Sequence, residues 1–96
     1  MKTLEFIVPC YNEEAVLNIF YDTVSPILNS LDGIKASFIF VDDGSRDNTV
    51  NIIRQLAERD KTVKYISFSR NFGKESAMLA GLTMSTADYV GIIDAD

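Results

Sequence analysis

Residues 38–45 read FIFVDDGS, four apolar residues followed at once by four polar or small ones. An unbroken apolar run of this length is typical of a strand buried on both faces, as in a parallel sheet covered by helices. The DDGS stretch ends that strand, and Asp47 is a candidate N-cap for a following helix. The stretch predicts a buried strand that brings two carboxylates to the carboxyl edge of a parallel sheet.

The same alternation continues on either side, with further strands predicted at residues 4–8, 63–68 and 89–93. Apolar spacings of three and four predict a first helix that opens at residues 12–14 and is either kinked at Pro26 or restarted there behind a Ser25 cap. A second helix follows Asp47, and a third spans residues 73–85, where small residues allow close approach to a sheet. The order βαβαβαβ with short links predicts a three-layer, Rossmann-like α/β fold with right-handed crossovers.

The composition excludes several classes of protein. The 96 residues carry 9 basic and 14 acidic side chains, a net charge of −5, which argues against a nucleic-acid partner. With 47% apolar and 24% charged residues, the chain is predicted to be globular. Its single cysteine excludes an internal disulfide framework and a cysteine-rich zinc site, and no apolar run reaches the roughly 18 residues of a membrane span. We expect a soluble, cytoplasmic segment.

Acidic residues follow the predicted strands at the points where ligands bind in open parallel sheets. We expect five carboxylates to converge there: Glu13, Asp42, Asp43, Asp94 and Asp96. Such a cluster needs a cation, and its all-oxygen ligands favour Mg²⁺ or Mn²⁺ over Zn²⁺.

The i, i+2 spacing lets Asp94 and Asp96 face one site from a strand. Arg70 and Lys74 would lie beside it, at a strand end and a helix start, where they could neutralise an anionic ligand.

Three common phosphate-binding folds do not match the chain. The five glycines fit no GxGxxG, so the Rossmann dinucleotide motif is absent. Gly73-Lys74 is followed by Glu75 and lacks the spacing of a Walker A loop. A two-component receiver needs an acidic pair after its first strand, where this chain has Pro-Cys-Tyr.

Four segments together resemble a known family. Residues 8–13 (VPCYNE), 41–49 (VDDGSRDNT) and 94–96 (DAD) are similar to the three signatures of family 2 glycosyltransferases with the GT-A fold. Residues 69–77 (SRNFGKESA) resemble the branch that transfers sugars to polyprenyl phosphates. The resemblance covers the whole chain, with the segments in the expected order and spacing.

The resemblance implies roles for ten residues. It implies that residues after the first two strands border the nucleotide: Pro9, Tyr11 and Glu13 at the base and ribose, Asp42 at the base edge and Asp43 as support for the loop. It implies that Asp94 and Asp96 form the DxD element, with Asp96 as the direct metal ligand and Asp94 shared with the ribose. It further implies that three residues lie near the diphosphate: Arg70, Gly73 and Lys74.

The resemblance also implies an activity and a sheet order. Family members transfer a sugar from UDP or GDP with inversion, and the polyprenyl-phosphate branch adds transmembrane helices. The resemblance thus implies a full-length protein that acts at the cytoplasmic face of the membrane. We therefore expect residues 1–96 to be the nucleotide-sugar-binding half of a longer enzyme, inactive alone, with strand order 3-2-1-4. The fourth strand would then expose an apolar edge, so we expect the isolated chain to self-associate.

Two alternatives stay open at this point. One is a non-catalytic α/β module that binds a nucleotide or acts as a scaffold. The other is a sugar nucleotidyltransferase, although the Gly-rich opening loop of that class is missing. Cys10 is interpreted as a small buried apolar residue without chemistry.

Overall fold

The computed structural model describes residues 1–96 as four parallel strands alternating with three helices. The strands are β1 (Lys2–Cys10), β2 (Ile34–Asp42), β3 (Val63–Ser67) and β4 (Tyr89–Ile92), and the helices are α1 (Leu17–Asn29), α2 (Thr49–Arg59) and α3 (Lys74–Met84). The sheet order is β3-β2-β1-β4, with every neighbouring pair parallel. The predicted βαβαβαβ topology and the strand order 3-2-1-4 are confirmed.

Helices cover both faces of the sheet, which makes three layers. Phe38 and Phe40 of β2 pack with α1 and α2 on one face, whereas the intervening Ile39 and Val41 pack with Ala77 of α3 on the other. Helix α3 approaches β1 closely at Gly81, where an added Cβ would lie 2.5 Å from a methyl carbon of Ile7. Gly81, one of the small residues predicted to permit that approach, is therefore needed for it.

Helix α1 begins later than predicted, at Leu17 instead of residues 12–14. Asn12 has a left-handed backbone with φ +53°, which a helix cannot contain. Its amide donates to Ser45 Oγ at 2.9 Å, and its side-chain oxygen accepts from the Arg46 amide at 2.9 Å. Residues 11–13 are thus held by the loop after β2 and are unable to join the helix.

Two other helix signals act differently from the prediction. Pro26 does not restart α1, which runs through it as one helix; the proline lies in the last turn, where its missing N–H costs a single bond. Helix α2 begins at Thr49 with Asn48 in the cap position, but the Asp47 carboxylate accepts the Thr49 amide at 2.9 Å. Asp47 therefore serves the first turn from one residue further out than a standard N-cap.

Strand β4 is an edge strand with exposed apolar side chains. Tyr89 is 56% exposed and Ile92 is 46% exposed, and no charged residue lies within the strand to discourage pairing. This is the geometry expected for self-association of the isolated chain, which stays a prediction. None of the three helices combines the length and the apolar character needed to cross a membrane.

A buried carboxylate lies at the opposite, amino-terminal end of the sheet and escaped the sequence interpretation. Glu5 is 2% exposed and accepts hydrogen bonds from Ser85 Oγ at 2.8 Å and Ser37 Oγ at 2.9 Å. Lys64 Nζ lies 3.2 Å from the same carboxylate. Burial acts to raise the Glu5 pKa, but the hydrogen bonds from these serines and the Lys64 charge outweigh it, so the pKa is lowered.

Glu5→Gln should lower the free energy of unfolding by about 1–3 kcal/mol at pH 7, because it removes charged hydrogen bonds from a buried site. The folded state lowers the Glu5 pKa below its ordinary value of 4.5, so the unfolded chain binds the proton more readily. The Glu5 contribution is complete above about pH 5 and is lost as pH falls through the folded pKa. Urea denaturation from pH 7 to pH 3 should therefore show a shallower acid loss in the variant.

The matched control is Glu58→Gln, which changes an exposed glutamate on α2. It should leave both the stability at pH 7 and the acid slope unchanged. If the free energy of unfolding fell equally steeply with pH in Glu5→Gln and in the parent chain, ionised Glu5 would not contribute to stability as assigned. Both variants should still lose some stability in acid, because Asp60 also has a lowered pKa. Hydrogen bonds from Tyr21 and Thr62 lower that pKa and outweigh the effect of burial.

Candidate functional site

An open cleft of about 280 Å³ lies beyond the carboxyl ends of β1, β2 and β4, next to the start of α3. This is the edge where open parallel sheets bind ligands. Seven of the ten residues predicted for the site line the cleft, and Cys10 joins them: Pro9, Cys10, Tyr11, Glu13, Asp43, Lys74, Asp94 and Asp96. The remaining three, Asp42, Arg70 and Gly73, lie close by and do not line it.

Hydrogen bonds between the loops after β1 and β2 fix one wall of the cleft. The Glu13 amide donates to Thr49 Oγ1 at 2.8 Å, and Thr49 is fully buried. The Asn12 contacts with Ser45 and Arg46 lock the same two loops together. Sequence reasoning missed the roles of Asn12, Ser45 and Thr49, although asparagine is the residue besides glycine that most readily accepts a left-handed backbone.

Asp43 holds the segment that leads into α3. Its own amide donates to the Cys10 carbonyl at 2.8 Å, which places the side chain at the end of β1. The carboxylate accepts the Phe72 amide at 2.8 Å, the Gly73 amide at 3.1 Å and Asn71 Nδ2 at 3.1 Å. Asp43 is 4% exposed, so these donors provide the polar contacts that a buried carboxylate requires. The geometry is that of a loop support.

Asp42 does not line the cleft. It is 2% exposed and accepts the Ser45 amide at 3.2 Å and Ser67 Oγ at 3.4 Å. These contacts stabilise the turn after β2 and the adjoining end of β3. Recognition of a base edge by Asp42 stays a prediction.

Arg70 and Gly73 also make contacts with other residues of the chain. The Arg70 guanidinium lies over the Phe72 ring, 4.8 Å from its centroid. Gly73 occupies the N-cap position of α3 with φ +107°, and its amide is directed at Asp43. Their proposed proximity to a diphosphate remains a prediction.

The acidic side of the cleft contains one ion pair. Lys74 Nζ lies 2.6 Å from Asp94 Oδ1, with the two side chains 56% and 52% exposed. Burial raises the Glu13 pKa, and the negative charges of Asp96, Asp47 and Asp94 raise it further. The negative charges of neighbouring carboxylates therefore act on Glu13, and a cation placed among them would relieve that repulsion.

The carboxylates of the cleft fit a metal ion whose other ligands are substrate phosphate and water. No group of three or more His, Cys, Asp or Glu side chains lies close enough together to hold a metal ion. Mg²⁺ sites, however, need only one or two protein carboxylates when substrate phosphate and water complete the shell. Asp94 and Asp96 could supply those two carboxylates from either side of the buried Ala95.

The cysteine in the cleft wall is suited to packing. Cys10 is 2% exposed, and burial raises the pKa of its thiol, as do the charges of Glu13, Asp42 and Asp96. The thiolate needed for nucleophilic chemistry is thus disfavoured.

A three-layer parallel sheet with an acidic cleft beyond its carboxyl ends is typical of the open α/β domains that bind ligands at this edge. Within that class, the chain belongs to glycosyl transferase family 2, whose model matches residues 5–96. It is 43% identical over 93 residues to a prophage bactoprenol glucosyl transferase homolog of Escherichia coli K12. That alignment covers 97% of this chain and 30% of the relative, so the chain spans under a third of that protein's length.

Solved glycosyltransferase structures share the fold. A mannosyltransferase from Pyrobaculum calidifontis in complex with GDP-Man and Mn²⁺ matches with a TM-score of 0.84 and 27% identity, covering 97% of this chain and 27% of that one. The glucosyl-3-phosphoglycerate synthase of Mycobacterium tuberculosis, in complex with Mn²⁺, UDP and glucosyl-3-phosphoglycerate, matches with a TM-score of 0.73 and 29% identity. This second match covers 99% of this chain and 34% of the synthase. The resemblance to GT-A glycosyltransferases is confirmed at the level of family and fold.

Proposed function

We propose that residues 1–96 bind a UDP- or GDP-linked sugar together with Mg²⁺ or Mn²⁺, as part of an inverting glycosyltransferase. The observation that carries this proposal is the cleft itself, in which Glu13, Asp94, Asp96 and Lys74 meet at the carboxyl edge of a parallel sheet. The cleft has both the carboxylates that a divalent cation requires and a cation suited to a phosphate. The two structural neighbours with Mn²⁺ and GDP-Man or UDP support the same pairing of ligands.

The nucleoside would lie against the segment after β1. Tyr11 is 42% exposed and offers a ring on which a base could stack, while Pro9 and Glu13 line the same wall. The hydrogen bond from the Glu13 amide to Thr49 keeps that wall fixed before any ligand arrives. Asp42, which does not line the cleft, would reach the base edge from beside it, next to the turn at Ser45 whose amide it accepts.

The diphosphate end would lie between Asp94, Asp96 and the start of α3. Asp96 and Asp94 would hold the metal, which when bound supplies positive charge that stabilises a departing diphosphate. Lys74, at the first position of α3, contributes a further positive charge from the protein. Asp43 keeps the 70–73 segment, and with it Lys74, at the edge of the cleft.

The acceptor is proposed from the relatives. Bactoprenol is the acceptor that the name of the E. coli relative prints, so a polyprenyl phosphate is the proposed acceptor of the whole protein, at the cytoplasmic face of a membrane. A phosphate acceptor is already ionised at neutral pH and needs little help from a general base. We therefore assign no catalytic base within residues 1–96.

Isothermal titration of the chain with UDP and GDP, each with and without Mn²⁺, tests the proposal. We expect one of the two nucleotides to bind, and to bind more tightly with Mn²⁺ present, while CMP, which has a single phosphate, gains nothing from the metal. A cooperative thermal melt measured by circular dichroism would show that the chain is folded. A folded chain that binds neither nucleotide would favour the non-catalytic scaffold module instead.

A further inference from the structure

Lys74 and Asp94 form the ion pair at the acidic edge of the cleft, with 2.6 Å between Nζ and Oδ1. Lys74 is also the sole basic residue among the eight that line the cleft. We propose that Lys74 is the counter-ion of Asp94 in the ligand-free chain. When a metal–nucleotide complex binds, the Lys74 ammonium leaves the Asp94 carboxylate and pairs with the diphosphate. The second half of this inference rests on the proposed function, whereas the first concerns the metal alone.

The backbone before Lys74 is held by hydrogen bonds, while its side chain is more than half exposed. The Asp43 carboxylate holds the amides of Phe72 and Gly73, the two residues that precede Lys74. The Lys74 side chain is 56% exposed, and its four-carbon stem can direct the ammonium to different partners from one backbone position. Exchange between two anionic groups therefore requires no movement of the fold.

Charge dictates the direction of the exchange. Asp94 is one of the two carboxylates available to a metal, and an ammonium 2.6 Å from its oxygen competes with a second cation for the same charge. Lys74 thus weakens the binding of a divalent cation on its own. Once released, the ammonium lies beside the position proposed for the diphosphate, where it strengthens the binding of the nucleotide. The same residue acts in opposite directions on the two ligands.

The first experiment uses the metal alone. Mn²⁺ is titrated into the 96-residue chain and free Mn²⁺ is measured by its EPR signal, for the parent chain, Lys74→Met, Lys74→Arg and Lys61→Met. We expect Lys74→Met to bind Mn²⁺ about two- to fivefold more tightly, the effect of losing one solvent-exposed ion pair. Lys74→Arg keeps the charge and should match the parent chain.

The Lys61→Met control removes the same charge from the opposite end of the sheet, where Lys61 is exposed before β3. It should leave Mn²⁺ affinity unchanged, because the added distance and salt screen its effect. Unchanged or weaker Mn²⁺ binding by Lys74→Met, or an equal gain in both variants, would overturn the counter-ion role. Circular dichroism melts check that each variant is folded.

The second experiment measures UDP and GDP affinity at saturating Mn²⁺ in the same four chains. We expect Lys74→Met to bind the preferred nucleotide about three- to tenfold more weakly, since a flexible, charge-assisted phosphate contact is lost. Equal nucleotide affinity alongside tighter Mn²⁺ binding would overturn the exchange. A parent chain that binds no nucleotide would refute the proposed function, while the Mn²⁺ titration would still decide the counter-ion role.

Discussion

Gly44→Ala should lower the free energy of unfolding by at least about 4 kcal/mol, a large part of the roughly 5–15 kcal/mol available to a domain. Gly44 has φ +69°, and a Cβ there would lie 2.1 Å from the Arg70 carbonyl carbon and 2.3 Å from the Asn71 nitrogen. Both atoms belong to the backbone, so no rotamer change can relieve the overlap. The 70–73 segment would have to move, which would break its hydrogen bonds with the Asp43 carboxylate.

Gly33→Ala separates the overlap from the backbone strain. Gly33 has a similar φ of +74°, but an added Cβ meets nothing within 4 Å. This variant should lose only the cost of a left-handed backbone, about 1–2 kcal/mol. Urea denaturation followed by circular dichroism gives both values, and equal losses in the two variants would show that the turn can relax around a side chain at position 44.

The order of the elements could be predicted because each strand is marked by its own local sequence. Residues 38–41 form an apolar run that ends in charged and small residues, and the third helix was predicted at residues 73–85 and found at Lys74–Met84. The start of α1 could not be predicted in the same way. Asn12 leaves the helical pattern because of bonds to Ser45 and Arg46, which come from a loop more than thirty residues away.

The site was predictable where the strand ends alone decide position. Glu13, Asp94 and Asp96 reach the cleft because the carboxyl ends of parallel strands meet at one edge. The division of roles between Asp42 and Asp43 was harder to predict, since it depends on which carboxylate accepts the amides of a loop that follows β3. Family resemblance implied a loop-support role for Asp43, whose carboxylate accepts the Phe72 and Gly73 amides of the segment before α3.

Glu5 illustrates a contact that no local pattern reveals. Its partners Ser37, Lys64 and Ser85 come from β2, β3 and the end of α3, and they meet only in the folded sheet. In the sequence, Glu5 interrupts the apolar run of the first strand and resembles a solvent-facing residue. A charged residue inside an otherwise apolar strand is therefore a weak signal of a buried polar network, which needs the structure to identify it.

Asp96→Ala should abolish the gain in UDP or GDP affinity that Mn²⁺ provides, while leaving the chain folded. Asp96 is exposed and lines the cleft, so its removal leaves no buried group without a partner. With Asp94 already paired to Lys74, Asp96 is the carboxylate of the DAD segment that no lysine or arginine contacts. Its loss should therefore cost the metal its most accessible protein ligand.

The matched control is Asp22→Ala, which removes an exposed carboxylate from α1 and changes the net charge by the same amount. That variant should keep the full Mn²⁺-dependent gain, since Asp22 does not line the cleft. Titrating both variants with the preferred nucleotide, with and without Mn²⁺, separates a metal ligand from a general effect of charge. If Asp96→Ala kept the gain and Asp94→Ala lost it, the metal would be held by Asp94 alone, and Lys74 would then control access to its only protein ligand.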